Sequence, residues 1–214
     1  MESDFELETL ILNKIRSFQL PASLAYLVEF YLSLMGINHS PVKTHSLRIA
    51  LFAEAVASRM EKDKKAAFLG GLFHDTGKLF FPGCLFEERE ITPEEYEILK
   101  EHARFGFIVW KKFDPLIALC AGLHHPCYQS ENGAVTSDFP KEWDSSIIQK
   151  GREIATIVSI CDFVDAAKHR HTHVRDGSYR NGNNLLAMLQ ENYPDNQAIV
   201  ETALTVLSEK KNNN

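Results

Sequence analysis

The sequence predicts an all-α fold, a helical bundle, and three observations carry that reading. Apolar residues recur every three to four positions, as in Phe5, Thr9, Leu12 and Ile15, or in His45, Ile49, Phe52, Val56 and Met60. Helix-capping residues stand at the starts of the periodic stretches, at Asp63, Thr92 and Asp114. Residues 147–167 hold one unbroken apolar pattern that includes Ile154, Ile157, Val158 and Cys161. The elements follow in order. Residues 1–40 are expected to form an N-terminal helical extension packed on the core, and residues 41–210 the main domain. Asp63 caps a helix running to His74, and Gly77 supplies permissive backbone to end it. Thr92-Pro93-Glu94-Glu95 is a capping box with proline at the first helical position, and Asp114-Pro115 opens the next helix in a similar way. His102 and His124 are then expected near helix C-termini. Residues 126–145 lose the periodicity in a run of Gly, Pro, Ser, Asn and Asp, a long connection of the kind that is either a lid or disordered, and its place directly after the His doublet suits a substrate-covering role. Within it Tyr128, Phe139 and Trp143 are placed to stack on a base or plug an opening. The long helix follows, then two shorter ones near residues 184–190 and 197–207, and there are no internal repeats.

Bulk properties narrow the function. With 214 residues, 44% of them apolar, the chain can bury a core of its own. Its start is acidic where a secretory segment is basic, and no apolar run approaches the roughly 18 residues of a membrane span. A soluble, cytoplasmic protein without a membrane partner is expected. The four cysteines, Cys84, Cys120, Cys127 and Cys161, form no Cys-x-x-Cys pair, so they are read as reduced thiols. A net charge of −6 argues against extended nucleic acid as a partner, because such binding needs a basic face. A small phosphorylated or nucleotide substrate is compatible with it, since bound cations would invert the local field near Lys78, Arg104, Lys168 and Arg170. These properties leave the oligomeric state open.

The chemistry is concentrated in histidines and aspartates. His74 and Asp75 are adjacent, with His45 upstream and His102, His124, His125 and Asp162 downstream. Neighbouring residues cannot share one helix face, so such a doublet at a helix end is useful mainly for chelating or bridging ions. Asp162 stands among Ile160, Cys161, Phe163 and Val164, where an unpaired charge is costly and a metal would offset the cost. Asp165, one turn on, is read as orienting a ligand or an arginine. Five imidazoles and two carboxylates form a mixed nitrogen and oxygen set, suited to Fe, Mn, Co or Zn and unlike the all-oxygen sets of Mg and Ca. His39, between Asn38 and Ser40, is read as a non-functional turn residue. The His169-x-His171-x-His173 run is read as a loop without ligand function, since alternate residues converge only on a strand.

This ordered set, from His45-Ser46-Leu47-Arg48 through His74-Asp75-Thr76-Gly77-Lys78, His102, His124-His125 and Asp162-Phe163-Val164-Asp165-Ala166, resembles the HD-domain phosphohydrolase superfamily. Within it the HD-GYP branch is most similar. Where that branch reads Glu, Asp-Gly and Gly-Tyr-Pro after the doublet, this chain reads Pro126-Cys127-Tyr128-Gln129, and only later Asp138-Phe139-Pro140. The resemblance implies an HD-domain helical bundle holding two divalent transition-metal ions. Asp75 would bridge them, His45, His74 and Asp162 would hold one, and His102, His124 and His125 the other. A third ion is not implied, because no acid lies between Glu29 and Glu54. Two ions about 3.5–4 Å apart suit hydrolysis of a nucleotide-type phosphodiester or phosphomonoester. Asp75 and Lys78 are the implied catalytic residues, with Lys78, Arg104 and Arg170 as substrate contacts. The alternatives are a cyclic-dinucleotide phosphodiesterase with a drifted Gly-Tyr-Pro segment and a non-catalytic regulatory module.

Overall fold

The computed structural model describes residues 4–86, 89, 91–125, 133, 136–169 and 185–212, and among these the protein is all-α. The helices are α1 (Asp4–Ser17), α2 (Ala22–Asn38), α3 (Ser40–Arg59), α4 (Lys64–Phe73), α5 (Pro93–Lys100), α6 (His102–Trp110), α7 (Pro115–Leu123), α8 (Ser145–His169), α9 (Leu185–Asn192) and α10 (Gln197–Asn212). Short 3-10 turns occupy Thr76–Phe80, Gly83–Phe86 and Thr136–Asp138. No helix among the described residues is long and apolar enough to cross a membrane.

The start signals work as read. The Asp63 carboxylate accepts from the Ala66 N–H at 2.9 Å. Thr92 and Glu95 close a reciprocal capping box, and Asp114 accepts from the N–H groups of Leu116 and Ile117. Each cap satisfies donors that the first helical turn leaves orphaned, which fixes where the helix begins. In the middle of the bundle α3 packs on α4 and α8, α7 on α8, and α6 on α7. Two apolar clusters flank that middle. One joins Leu7, Ile11, Val28 and Met35 of α1 and α2 to Phe68, Leu72, Phe73 and Phe107. The other joins α3 and α8 to Tyr193, Val200 and Ala203 near the C-terminus.

Four expectations are corrected. The buried face of α1 is Leu7, Ile11 and Ile15, while Phe5 is exposed, because this helix carries apolar residues on more than one face and periodicity alone could not choose between them. His102 opens α6 instead of closing the preceding helix, since α5 ends at Lys100 and Glu101 separates the two. Gly77 does not end α4 through a left-handed backbone. It lies within the 3-10 turn where a Cβ would collide with the carbonyl oxygen of His102, so its lack of a side chain lets two chain segments touch. Phe139 and Trp143 are built into the apolar cluster against Phe107, with Phe139 9% exposed, and do not reach out to stack on a ligand. Residues 126–132, 134 and 135, Tyr128 among them, lie outside the described residues.

Gly77→Ala is expected to lower the melting temperature by roughly 2–12 °C, the cost of forcing a methyl group into a packed contact in a domain of this size. Thermal unfolding followed by circular dichroism measures this. An unchanged transition would show that the His102 backbone yields freely.

Candidate metal centre

Helix ends deliver the site. His74 is the residue after α4, His124 the residue after α7, and His102 follows α5 across the one-residue break. All three are tied down in the same way. His74 Nδ1 donates to the Gly71 carbonyl at 2.8 Å, His102 Nδ1 to Leu99 at 2.6 Å, and His124 Nδ1 to Ala121 at 2.8 Å. These carbonyls belong to last turns that lack helical partners, so each imidazole caps a helix while its tautomer is set. With the proton on Nδ1, each Nε2 presents a lone pair. His45, on the buried face of α3, is oriented from the other direction, its Nδ1 donating to Asp165 Oδ2 of α8 at 2.8 Å.

The lone pairs converge on Asp75, whose side chain is 1% exposed. Oδ1 lies 3.3 Å from His102 Nε2 and 3.8 Å from His124 Nε2. Oδ2 lies 3.3 Å from His74 Nε2 and 3.9 Å from His45 Nε2. The two carboxylate oxygens thus face different pairs of imidazoles. His102 Nε2 is 3.1 Å from His124 Nε2 and 3.3 Å from His125 Nε2, and His45 Nε2 faces Asp162 Oδ1 at 2.9 Å. His74 Nε2 and Asp75 Oδ1 are buried without hydrogen-bond partners. Acceptors pressed against acceptors in a buried place fit a bound cation, which would satisfy all of them. The potential ligand atoms form three groups, each within 4.8 Å internally: His45, His74 and Asp162; His102, His124 and His125; and His74, Asp75 and His124. All seven residues singled out in the sequence are brought together here.

The HD domain profile matches residues 42–200, well over half of the chain. The chain belongs to the HD domain family. Among curated proteins it is similar to Ribonuclease Y of Mycoplasma mycoides subsp. mycoides SC, at 27% identity over 129 residues, and to Ribonuclease Y of Mycoplasma capricolum subsp. capricolum, at 26%. Each alignment covers 59% of this chain and 19% of the relative, so the chain spans about a fifth of those proteins' length. Among solved structures it is similar to the HD domain of the L. monocytogenes phosphodiesterase PgpH, with a TM-score of 0.58 and 18% identity over 85% of this chain and 98% of that one. The same domain in complex with cyclic-di-AMP gives a TM-score of 0.55 at 17% identity, over 84% of this chain and 96% of that one. At these identities the likeness speaks for the fold, the helical HD domain fold.

Around the ligand groups of this HD domain the charges are arranged for cations. Burial and the neighbouring imidazoles push His124 well below the usual histidine range, and burial, with His102 and Lys78 close by, brings His125 down to about 3. His102 is lowered by burial and by Lys78 against the pull of Asp75. All three are therefore neutral at pH 7, the state in which an imidazole binds metal. Burial disfavours a charged Asp75, yet the neighbouring His74, Lys78 and His102 hold its carboxyl well below the carboxylate range. His45 is raised, because the adjacent carboxylates of Asp162 and Asp165 outweigh its burial. Asp165 also takes both arms of Arg48, Nε at 2.8 Å and Nη2 at 2.7 Å, so it orients a ligand and an arginine at once. Lys78 Nζ reaches Asp75 Oδ2 at 2.6 Å from a nearly closed position, 8% exposed.

The outer candidates divide. Arg104 is exposed on α6, and Arg170 lies outside the described residues, as do His171 and His173. His169 is the last residue of α8, not a loop residue, and its Nε2 is 3.6 Å from Asp165 Oδ1. One residue passed over in the sequence is buried beside the site. His39 is 2% exposed and packs on Phe86, and no local sequence signal marks it, since its position depends on the turn Gly83–Phe86 folding back over it.

If the clusters hold metal as their donors suggest, Asp75→Ala should strip metal from both of them, and Asp165→Asn should weaken binding about 10–100-fold by freeing the His45 ring. Metal analysis after dialysis measures both. Wild-type metal content in Asp75→Ala would end the shared-carboxylate reading.

Proposed function

We propose that this HD domain is a metal-dependent phosphohydrolase that cleaves a nucleotide-type phosphodiester or phosphomonoester, with residues 1–40 as an N-terminal helical extension of the catalytic bundle. One observation carries the reading: the oxygens of a single buried carboxylate, Asp75, face two separate sets of unprotonated imidazole nitrogens. That donor arrangement suits a pair of divalent transition ions sharing one carboxylate. His45, His74 and Asp162 would hold one, His102, His124 and His125 the other. Bound there, the ions would supply hydroxide near neutral pH and positive charge against the phosphate oxygens.

The rest of the chemistry falls to the chain itself. Lys78 is the cation for a non-bridging phosphate oxygen, and its contact with Asp75 holds the ammonium in place before substrate arrives. Its burial excludes the water that would otherwise screen it. Asp165 and Arg48 hold His45 at one angle, which keeps its Nε2 directed at the centre. Arg104, and Arg170 beyond the described residues, are the remaining candidates for contact with the outer part of a substrate.

Two comparisons support the diester class. The similar curated proteins are named ribonucleases, and the similar solved domain belongs to a phosphodiesterase that was crystallised with cyclic-di-AMP. A cyclic dinucleotide is therefore the second reading, in line with the resemblance to the HD-GYP branch. A non-catalytic regulatory module is disfavoured, because every position of the expected ligand set is filled and converges.

Metal-loaded protein is expected to hydrolyse bis(p-nitrophenyl) phosphate, to lose that activity on chelation and to regain it when metal is restored. Lys78→Ala should keep its metal and lose about a hundredfold in kcat, the scale of removing one preorganised charge from a developing anion. Turnover of cyclic-di-AMP, read by chromatography, separates the two enzyme readings. Loaded protein inert toward every diester would leave the regulatory module standing.

A further inference from the structure

Helix α2 carries apolar residues on both of its sides. Val28, Tyr31, Leu32 and Met35 are buried in the core. On the opposite side Tyr26, Phe30 and Ile37 stand 71%, 61% and 81% exposed, with Leu27 beside them at 39%. Spacings of four, three and four residues put Tyr26, Phe30, Ser33 and Ile37 in one line along the helix. Glu29 is the only charged side chain that α2 holds. Single exposed apolar residues are ordinary on a protein surface, but a continuous line of them marks a contact.

The area says what size of partner the line suits. At roughly 200 Å² for a fully exposed side chain of this kind, Tyr26, Leu27, Phe30 and Ile37 offer on the order of 500 Å². Contacts between identical chains are about 65% apolar, so an apolar area of that order corresponds to about 800 Å² per partner, the size of a standard stable interface. The line is also complementary to itself. A two-fold axis crossing α2 between Tyr31 and Leu32 sets Tyr26 level with Ile37 of a second copy, and Phe30 level with Ser33 of that copy, a large ring opposite a small residue. Ser33 Oγ already donates to the Glu29 carbonyl at 2.9 Å, so covering it strands no donor. The helix has no acid in its first turn and no base in its last. An antiparallel copy places each end of one helix dipole beside the opposite end of the other. A lipid surface suits the line less well, since α2 has no lysine or arginine to meet anionic headgroups.

We propose that the exposed line of α2 is the contact through which two copies of this chain pair, antiparallel about a two-fold axis, with Phe30 near the centre and Tyr26 and Ile37 towards the two ends. The contact does not depend on the phosphohydrolase reading. It bears on the candidate metal centre all the same, because the opposite face of α2 carries Tyr31, whose ring packs on that of Phe73, the residue before His74.

Sedimentation equilibrium on the full chain at roughly 1–100 µM, the weak end of what a contact of this size reaches, tests the pairing. Wild type should form a species of twice the 24.3 kDa chain mass. Phe30→Asp should weaken the pairing at least about tenfold, the scale of losing a central aromatic anchor, and leave the melting temperature of the dilute protein unchanged. Ile37→Asp, at a still more exposed position, should do the same if Phe30→Asp fails to fold. Ser33→Trp, which overfills the place opposite Phe30, should weaken the pairing too. Phe113→Asp removes a ring that is 77% exposed outside α2 and should leave the pairing intact. A wild type that stays monomeric overturns the proposal, and its flotation with phosphatidylcholine vesicles would give the line to a lipid surface instead. A dimer that survives both aspartate variants, or Ser33→Trp, also overturns it. So does a dimer that Phe113→Asp dissolves equally well.

Discussion

Burying the Asp75 carboxylate sets the terms for everything around it. At 1% side-chain exposure an ionised carboxylate is tolerable only if donors or cations surround it. Lys78 answers for one oxygen. The other near neighbours are imidazole nitrogens whose protons are already committed elsewhere, to Gly71, Leu99, Ala121 and Asp165. A centre of this kind would be an electrostatic liability in a protein selected for stability alone. It is coherent as a receptor for cations, because binding them turns every acceptor-to-acceptor approach into a favourable contact, and the binding energy then adds to the stability of the fold.

The local device that achieves the convergence is used three times. A helix leaves its last carbonyls without partners, and here a histidine three residues beyond such a carbonyl donates to it, at the ends of α4, α5 and α7. One hydrogen bond does two things: it satisfies a carbonyl at a helix end, and it fixes the tautomer that leaves Nε2 with its lone pair. Tertiary packing has only to bring the helix ends to one point. The close packing of α3 on α4, of α6 on α7, and of the 3-10 turn at Gly77 on His102 does so.

This division explains what could be read from the sequence. Caps at Asp63, Thr92 and Asp114 are local events, and the ordered set of His45, His74, Asp75, His102, His124, His125 and Asp162 carries the resemblance to the HD superfamily. Features decided by contacts between distant segments were not legible. Glu101 has no breaker chemistry, so nothing local announces that the chain bends before His102. Gly77 reads as a helix stop, yet its role is to let the His102 carbonyl approach. Phe139 and Trp143 stand in a stretch with turn composition, but Phe107 and its neighbours recruit them into the core. His39 is hidden by a turn more than forty residues downstream.

Residues outside the ligand motif also stiffen the site. The HD match begins at residue 42, but Tyr31 of α2 is buried at 4% exposure, with its ring 4.8 Å from that of Phe73. Burial and the nearby Asp75 charge push its phenol far above the ordinary tyrosine range, so it remains a neutral dipole beneath the carboxylate. From the opposite side Trp110 Nε1 donates to Thr76 Oγ1 at 3.0 Å, and Thr76 donates in turn to the Phe73 carbonyl at 2.7 Å. Thr76 of the turn that carries Asp75 and Lys78 is thus tied to α6 and to the end of α4, whose Phe73 packs on Tyr31 of α2. A turn clamped in this way cannot easily swing its lysine toward water, so on the proposed reading Lys78 would meet an anion with little reorganisation left to do. On that argument α2 helps to hold the candidate metal centre in place, through Tyr31 and Phe73.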